Sequence, residues 1–310
     1  MTDIALRVWR RRDEAVGVFS LDLAAVDGSE LPSWTPGAHI DVAVGAAGVR
    51  QYSLCGDPAD RSRWRIAVLH EPDGRGGSAY LHRAAQPGSV LRVSQPRNNF
   101  ELVERASYAF LAGGIGITPI LPMLAAAEAA GARWSLYYGG RTRRHMAFAD
   151  AIAERYPRAH LLPQDEHGLL PLPGILDGLR DTAVYCCGPE PLLAAVEAEG
   201  ARRGLPVHLE RFVPRRVQFA PNETFEVRLA ASGRTFQVGA NQSIADVLES
   251  AGIGIVTSCR EGTCGSCEAA VLAGDIEHRD TVLTADEQAR GDTMMLCVSR
   301  ARSGRLVLDL

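Results

Sequence analysis

Three cysteines fall within nine residues, Cys259-Arg-Glu-Gly-Thr-Cys264-Gly-Ser-Cys267, and 29 residues then intervene before a fourth, Cys297. No other feature of the chain restricts its structure as tightly. The spacing puts three thiolates on one tight loop and takes the fourth from elsewhere, as a [2Fe–2S] cluster requires of its four protein ligands. Gly262 and Gly265 let the loop curl so that backbone N–H groups face the sulfurs. Structural zinc usually draws on two short Cys/His pairs, which this spacing does not match. The bland alternative is four buried structural cysteines. A cluster of this kind accepts one electron at a time, near about −400 mV, so the rest of the chain is expected to supply electrons.

At 310 residues, two or three domains are expected, and 46% hydrophobic content gives each a core. No run of 18 apolar residues occurs, so no membrane span is expected. At Met1-Thr-Asp-Ile-Ala no charged stretch precedes an apolar one, so no signal peptide is expected. The seven cysteines read as metal ligands and free thiols rather than disulfides, which implies a reducing, cytoplasmic setting. A net charge of −4 gives no electrostatic support for nucleic acid as a partner. The charge is uneven: from Asn222 onward there are 13 acidic residues and 8 arginines, a balance of −5 against about +1 for the remainder. An acidic electron-delivering module could dock on a basic partner; it is equally an ordinary solvated surface. The chain contains no lysine, which excludes a Walker P-loop. Phosphate must therefore be held by arginine, hydroxyls or backbone N–H groups.

Residues 1–104 alternate apolar and polar positions with a period of two, as in Gly17–Leu23, His39–Val44, Trp64–Leu69 and Ser89–Val93. Short strands punctuated by Gly, Pro and Asp predict a small antiparallel barrel. Two spots here carry chemistry. Arg50-Gln51-Tyr52-Ser53 ends a predicted strand: Arg50 can grip phosphate in bidentate fashion, Tyr52 offers a flat ring, and Ser53 a small donor. Gly74-Arg75-Gly76-Gly77-Ser78 leads into a helix start, where exposed backbone N–H groups and the helix dipole favour an anion. Alone, the first is equally a plain strand and the second a surface turn.

Residues 105–214 alternate strands with helices, which predicts a parallel sheet covered by helices. Ala106–Ala112 ends at Gly113-Gly114-Ile115-Gly116-Ile117-Thr118-Pro119. Thr118 can cap a helix, Pro119 suits its first position, and Ile120–Ala130 continue it to Gly131. Trp134–Tyr138 reads as a strand, Met146–Arg155 as a helix, and Ala183–Cys187 as a strand before Gly188-Pro189-Glu190-Pro191 and a helix through Glu199. Both glycine turns fall at strand carboxyl ends, where such sheets bind ligands. The first is not a strict G-x-G-x-x-G, yet glycine still lets a pyrophosphate approach the backbone at a helix N-terminus. Cys187 suits either a small buried hydrophobe or a residue facing a bound nicotinamide, and Cys186 points the other way. Arg141, Arg143 and Arg144 follow the second strand, where a 2′-phosphate would sit, or form a solvated patch.

From residue 215 onward, Pro214–Pro221 resembles a linker. Phe225–Leu229 and Thr235–Val238 flank the hairpin signal Ser232-Gly233, and Ser243 caps Ile244–Ser250 with Asp246 in the first turn. The cysteine loop follows, then Glu268–Leu272 and the Cys297 region.

In this order, R-x-Y-S, G-R-G-G-S, G-G-I-G-I-T-P, C-G-P-E-P and C-x4-C-x2-C…C resemble the phthalate dioxygenase reductase family, within the wider ferredoxin–NADP reductase superfamily. The resemblance covers essentially the whole chain. It implies three domains: a flavin-binding antiparallel β-barrel (1–104), an NAD-binding α/β domain with a parallel sheet (105–214), and a linker with a plant-type [2Fe–2S] ferredoxin domain of α+β β-grasp fold (215–310). It also implies that Arg50, Gln51, Tyr52 and Ser53 with Gly76, Gly77 and Ser78 hold the flavin and its phosphate. Gly113, Gly114, Ile115, Gly116, Thr118 and Pro119, with Arg141, Cys187, Gly188 and Pro189, would hold NAD, and Cys259, Cys264, Cys267 and Cys297 the cluster. The flavin implied is FMN, with FAD the alternative, and the nucleotide NADH rather than NADPH. The implied partner is a terminal oxygenase, Rieske type or cytochrome P450, and a monomer is expected. No general base is required and no catalytic residue is assigned. The competing functions are a redox sensor and an NAD(P)H oxidase passing electrons straight to oxygen; a sensor needs an output surface or effector domain, and the three modules leave none over.

Overall fold

A computed structural model of the chain describes residues 4–215 and 219–310. The first three positions and the middle of the expected linker, 216–218, lie outside the described residues. Contacts divide the chain into two compact units, with the division after Arg211.

The first unit opens with six antiparallel strands: β1 (Ile4–Ala15), β2 (Val18–Ala25), β3 (His39–Ala43), β4 (Val49–Ser53), β5 (Trp64–Leu69) and β6 (Val90–Val93). Their order is β4-β3-β6-β1-β2-β5, and an isolated bridge between Leu54 and Ile66 closes the sheet on itself. The inward positions, among them Leu6, Leu21, Leu23, Ile40, Val42, Trp64 and Ile66, are fully buried. Burying each stabilises the barrel by roughly 1.5–3 kcal/mol. Strand β1 escaped the alternation pattern because its register shifts between Val8 and Arg10 and again between Asp13 and Ala15; a bulge breaks the period of two. Helix α1 (Gly77–Ala84) follows the glycine-rich loop.

Five parallel strands come next: β7 (Ser107–Gly113), β8 (Arg133–Gly140), β9 (His160–Pro163), β10 (Ala183–Cys187) and β11 (Val207–Glu210), in the order β11-β10-β7-β8-β9. Helices α2 (Ile117–Ala129), α3 (Ala149–Arg155), α4 (Gln164–His167), α5 (Leu172–Leu176) and α6 (Glu190–Arg203) connect them. Tyr108, Phe110 and Ala112 of β7 enter one core with α2, while Ala109 and Leu111 enter another with α5 and α6. A sheet buried on both faces explains why its strands read as continuous apolar runs.

Two helix starts differ from expectation. The first turn of α2 begins at Ile117 after Gly116, so Thr118 lies inside the helix and its hydroxyl donates to the Ile115 carbonyl at 2.9 Å instead of capping. Pro119 stays within the first turn, where its missing N–H costs nothing. The helix expected from Met146 starts only at Ala149, because Phe148 takes a left-handed conformation (φ 60°) and Met146 is extended. The Met146 side chain is buried against Gly140, where an added Cβ would stand 2.4 Å from its Cγ.

The second unit is a mixed sheet of β12 (Phe225–Leu229), β13 (Thr235–Val238), β14 (Glu268–Ala273), β16 (Thr293–Met295) and β18 (Arg305–Leu308), ordered β13-β12-β18-β14-β16, with β15 (Ile276–Glu277) and β17 (Arg300–Ala301) as a separate pair. Strands β12 and β18 run parallel and the other pairings are antiparallel. Helix α7 (Ile244–Ser250) packs its buried Ile244, Ala245 and Leu248 on this sheet, the β-grasp arrangement. The Ser243/Asp246 capping box forms as the sequence predicts. A second box, Thr284 with Glu287, starts α8 (Ala285–Arg290). No helix among the described residues is long and apolar enough to cross a membrane.

Candidate functional site

In the barrel, Arg50 links the start of β4 to the glycine-rich loop. Its guanidinium donates to the carbonyls of Ala47 (2.9 Å), Val49 (2.8 Å) and Arg75 (3.0 Å). The fit is close: a Cβ on Gly77 would stand 2.5 Å from Arg50 Cγ. Gly76 precedes α1 in the left-handed region (φ 82°), and no side chain caps the helix. Uncapped N–H groups beside a guanidinium suit a phosphate. The Ser78 hydroxyl serves locally, accepting the Glu71 N–H at 3.0 Å. Burial pushes the Tyr52 hydroxyl pKa upward. Ser53 ends the strand with a buried Oγ that has no hydrogen-bond partner. A buried hydroxyl without a partner costs stability, so the site fits a polar ring that would satisfy it. Gln51 donates to Asp41 at 3.3 Å, and Asp41 is held by Arg97 at 2.7 Å.

In the parallel sheet the two glycine turns pack backbone on backbone. A Cβ on Gly116 would meet the Cys187 carbonyl oxygen at 2.2 Å and Gly188 N at 2.7 Å. One on Gly113 would meet Pro189 Cδ at 2.7 Å. Gly114 differs: it is left-handed (φ 56°) with nothing within 4 Å of an added Cβ. Thus Gly113, Gly116 and Gly188 serve packing, and Gly114 leaves the open space a ligand needs. Neither α2 nor α6 has a side-chain cap. Arg143 is drawn back by Asp150 (2.8 Å) and the Ala149 carbonyl, whereas Arg141 is exposed.

Cys187 is fully buried, and its thiol points at Glu210 Oε2, 3.8 Å away. Burial raises the thiol pKa and the carboxylate raises it further. Glu210 keeps part of its surface exposed, but burial of its carboxyl pushes the pKa up to about 8. Sequence reasoning missed Glu210 because it ends a short edge strand without a motif; the one available signal was an acidic residue at a strand carboxyl end. Cys186 lies on the opposite face of the sheet, in the α5–α6 core.

The cysteine loop curls through three left-handed residues, Arg260 (φ 56°), Gly262 (φ 72°) and Gly265 (φ 71°). Arg260 is held in this conformation by Asp246 at 2.8 Å and by Glu249, both on α7. The Cys259 sulfur accepts the N–H groups of Glu261 (3.3 Å) and Thr263 (3.4 Å), and Cys264 that of Ser266 (3.5 Å). Among the described residues no group of three or more His, Cys, Asp or Glu is placed to hold a single metal ion. The four thiols stand instead in one series within hydrogen-bonding reach, Cys264 to Cys259, Cys259 to Cys297 and Cys297 to Cys267. Sharing protons pulls Cys259 and Cys267 down and pushes Cys264 and Cys297 up. Four neighbouring thiols, with N–H groups aimed at the sulfurs, supply the donor set of a two-iron cluster.

Comparison with known proteins agrees. The 2Fe-2S iron-sulfur cluster binding domain matches residues 227–302. Phenoxybenzoate dioxygenase subunit beta of Ectopseudomonas oleovorans is 43% identical, over 100% of this chain and 98% of its own. Phthalate dioxygenase reductase of Burkholderia cepacia is 38% identical over 99% and 97%. A solved phthalate dioxygenase reductase, described as a modular structure for electron transfer from pyridine nucleotides to [2Fe–2S], aligns over 100% of this chain and 98% of its own at 37% identity, with a TM-score of 0.72. An intact type IV self-sufficient cytochrome P450 monooxygenase aligns at 41% identity and a TM-score of 0.92 over 99% of this chain, which spans only 41% of that protein's length. With phthalate dioxygenase reductase 38% identical and matched nearly end to end, both as a sequence and as a solved structure, the chain belongs to the phthalate dioxygenase reductase family.

Proposed function

We propose that this chain is the reductase component of an oxygenase system, taking electrons from NADH and delivering them through FMN and a [2Fe–2S] cluster to a separate terminal oxygenase, Rieske type or cytochrome P450. The observation that carries this reading is the presence on one chain of a phosphate cradle beside an unsatisfied buried Ser53, an open glycine turn at Gly114, and four neighbouring thiols. When bound, the flavin supplies the conversion from a two-electron donor to a one-electron acceptor. Arg50 and the N-terminus of α1 hold its phosphate, and Ser53 donates to its ring. The uncapped N-terminus of α2, with Gly114, Ile115, Thr118 and Pro119, binds the nucleotide pyrophosphate. Cys187 and Pro189 wall the nicotinamide, with Gly188 packed on Gly113 between them and Glu210 behind Cys187. This positioning, rather than acid–base chemistry, is what hydride transfer asks of the protein. Engagement of Arg143 by Asp150 supports NADH over NADPH. The protein acts as a cytoplasmic monomer, with no membrane or nucleic-acid partner.

An anaerobic absorbance titration of the purified protein with NADH tests this. Bleaching of both flavin and iron–sulfur bands is expected. Flavin bands without an iron–sulfur contribution would remove the cluster from the route, and a response to NADPH alone would overturn the nucleotide choice.

A further inference from the structure

Asp280 belongs to no motif, yet its carboxylate is fully buried beneath the cysteine loop. One oxygen, Oδ2, accepts the N–H groups of Val282 (3.1 Å) and Leu283 (2.9 Å). The other, Oδ1, accepts the Ser299 hydroxyl at 3.4 Å, and the buried ring of His278 stands 3.6 Å from it. Ser299 lies two residues past Cys297, on a turn closed by its own N–H donating to the Met295 carbonyl at 3.0 Å. On the other side, Thr281 donates its N–H to the Gly262 carbonyl at 2.9 Å. Gly262 sits directly on this residue: a Cβ there would stand 3.0 Å from Asp280 Cα and 2.6 Å from Val298 Cγ2.

The segment around Asp280 therefore joins two pieces of chain far apart in sequence, its backbone bonding one at Gly262 and the carboxylate bonding the other at Ser299. One is the loop bearing Cys259, Cys264 and Cys267; the other is the turn bearing Cys297. Four thiolates hold a binuclear cluster only if the fourth stands at the correct distance from the other three. We propose that Asp280 is a positioning residue for the cluster, holding the turn of Cys297 through Ser299 against a segment that Thr281 ties to the three-cysteine loop. This rests on the reading of the four cysteines as cluster ligands. A buried carboxylate with three donors is a stiff connector, because each lost bond leaves a buried group unsatisfied. It acts outside the direct ligands, as the residues supporting a metal site's ligands do.

The test uses the full chain purified with its cofactors. Iron and acid-labile sulfide are measured per flavin, together with the rate of iron release to a ferrous chelator under dithionite and the electron paramagnetic resonance spectrum of the reduced protein. Asp280→Asn keeps the size but turns an amide toward the Val282 or Ser299 donors, and release is expected to be roughly tenfold faster with an altered spectrum. Ser299→Ala removes the bridging hydroxyl, which also accepts the Arg279 N–H at 3.2 Å, and is expected to show a smaller change in the same direction. It decides the matter if Asp280→Asn fails to fold. Reduction of flavin by NADH stays at the wild-type rate in both. Wild-type release rates and spectra in the folded variants would overturn the proposal while leaving the cluster reading intact. Wild-type protein without iron and sulfide, unchanged by Cys297→Ser, would instead remove the cluster reading itself. A carboxylate serving only general stability would lower the melting temperature without altering the spectrum, and that result would also overturn it.

Discussion

Gly116→Ala tests whether the two glycine turns are held by backbone contact. The new Cβ would stand 2.2 Å from the Cys187 carbonyl oxygen and 2.4 Å from its carbon, whereas such carbon–oxygen contacts normally lie at about 3.3 Å or more. The turns must separate by about 1 Å, and neither neighbour is a side chain that can rotate away. Overpacking of this kind costs about 3 kcal/mol, the upper end of its usual range. For a unit of this size that is a fall in Tm of about 6–12 °C. A displacement of about 1 Å at a positioning site can also cost about 100-fold in rate. Gly114→Ala is the control: nothing obstructs its Cβ, so only the left-handed backbone is penalised, by about 1 kcal/mol. The assays are thermal melting and stopped-flow reduction of the bound flavin by NADH. Equal melting temperatures for the two variants, with kcat/KM for NADH intact in Gly116→Ala, would refute the reasoning.

Three further outcomes are expected. Ser53→Ala removes a buried hydroxyl that the protein itself leaves unpartnered; the flavin-free chain should melt no lower than wild type, while flavin reduction slows by about tenfold, equivalent to about 1.4 kcal/mol. Glu210 holds a proton in the folded chain up to about pH 8. The unfolded chain releases it near its ordinary value of 4.5, so stability falls as pH rises between these values. The slope is at most about 1.4 kcal/mol per pH unit, less for the partial exposure of the residue, and melting scans of Glu210→Gln should lose it. Cys264→Ser should abolish cytochrome c reduction while NADH still reduces the flavin; unchanged cytochrome c activity would exclude the proposed route.

The sequence was most informative where one residue type answers one physical need. The thiol spacing, the period of two in the barrel and the box at Ser243 each depend on near neighbours, so they could be read directly. What escaped notice depends on contacts between distant segments. Glu210 gains its role only when β11 pairs with β10 and brings its carboxyl to Cys187. Asp280 matters because the chain returns to Gly262 at the next residue, Thr281, nineteen positions further on. Helix α3 begins late because Met146 is needed under Gly140, a tertiary demand that overrides local propensity. The glycines of the Gly113–Pro119 turn stood out in the sequence but their duties could not be divided, since φ and neighbouring backbone are invisible in a string of letters.

The barrel's closure bears on cofactor exchange. Strand β4 is hydrogen-bonded along its length to β3 through five paired residues. On its other side the seam to β5 is a bridge at Leu54–Ile66 with the Cys55 N–H on the Arg65 carbonyl. The strand that presents Arg50, Tyr52 and Ser53 is therefore anchored by one edge and stitched at one point along the other. Free energies of local opening follow the number of such bonds, so this seam is where amide hydrogens of the cofactor-free protein should exchange early. Filling the cradle would fasten the seam from outside, making flavin the last rung of the barrel and its departure the first step of unfolding.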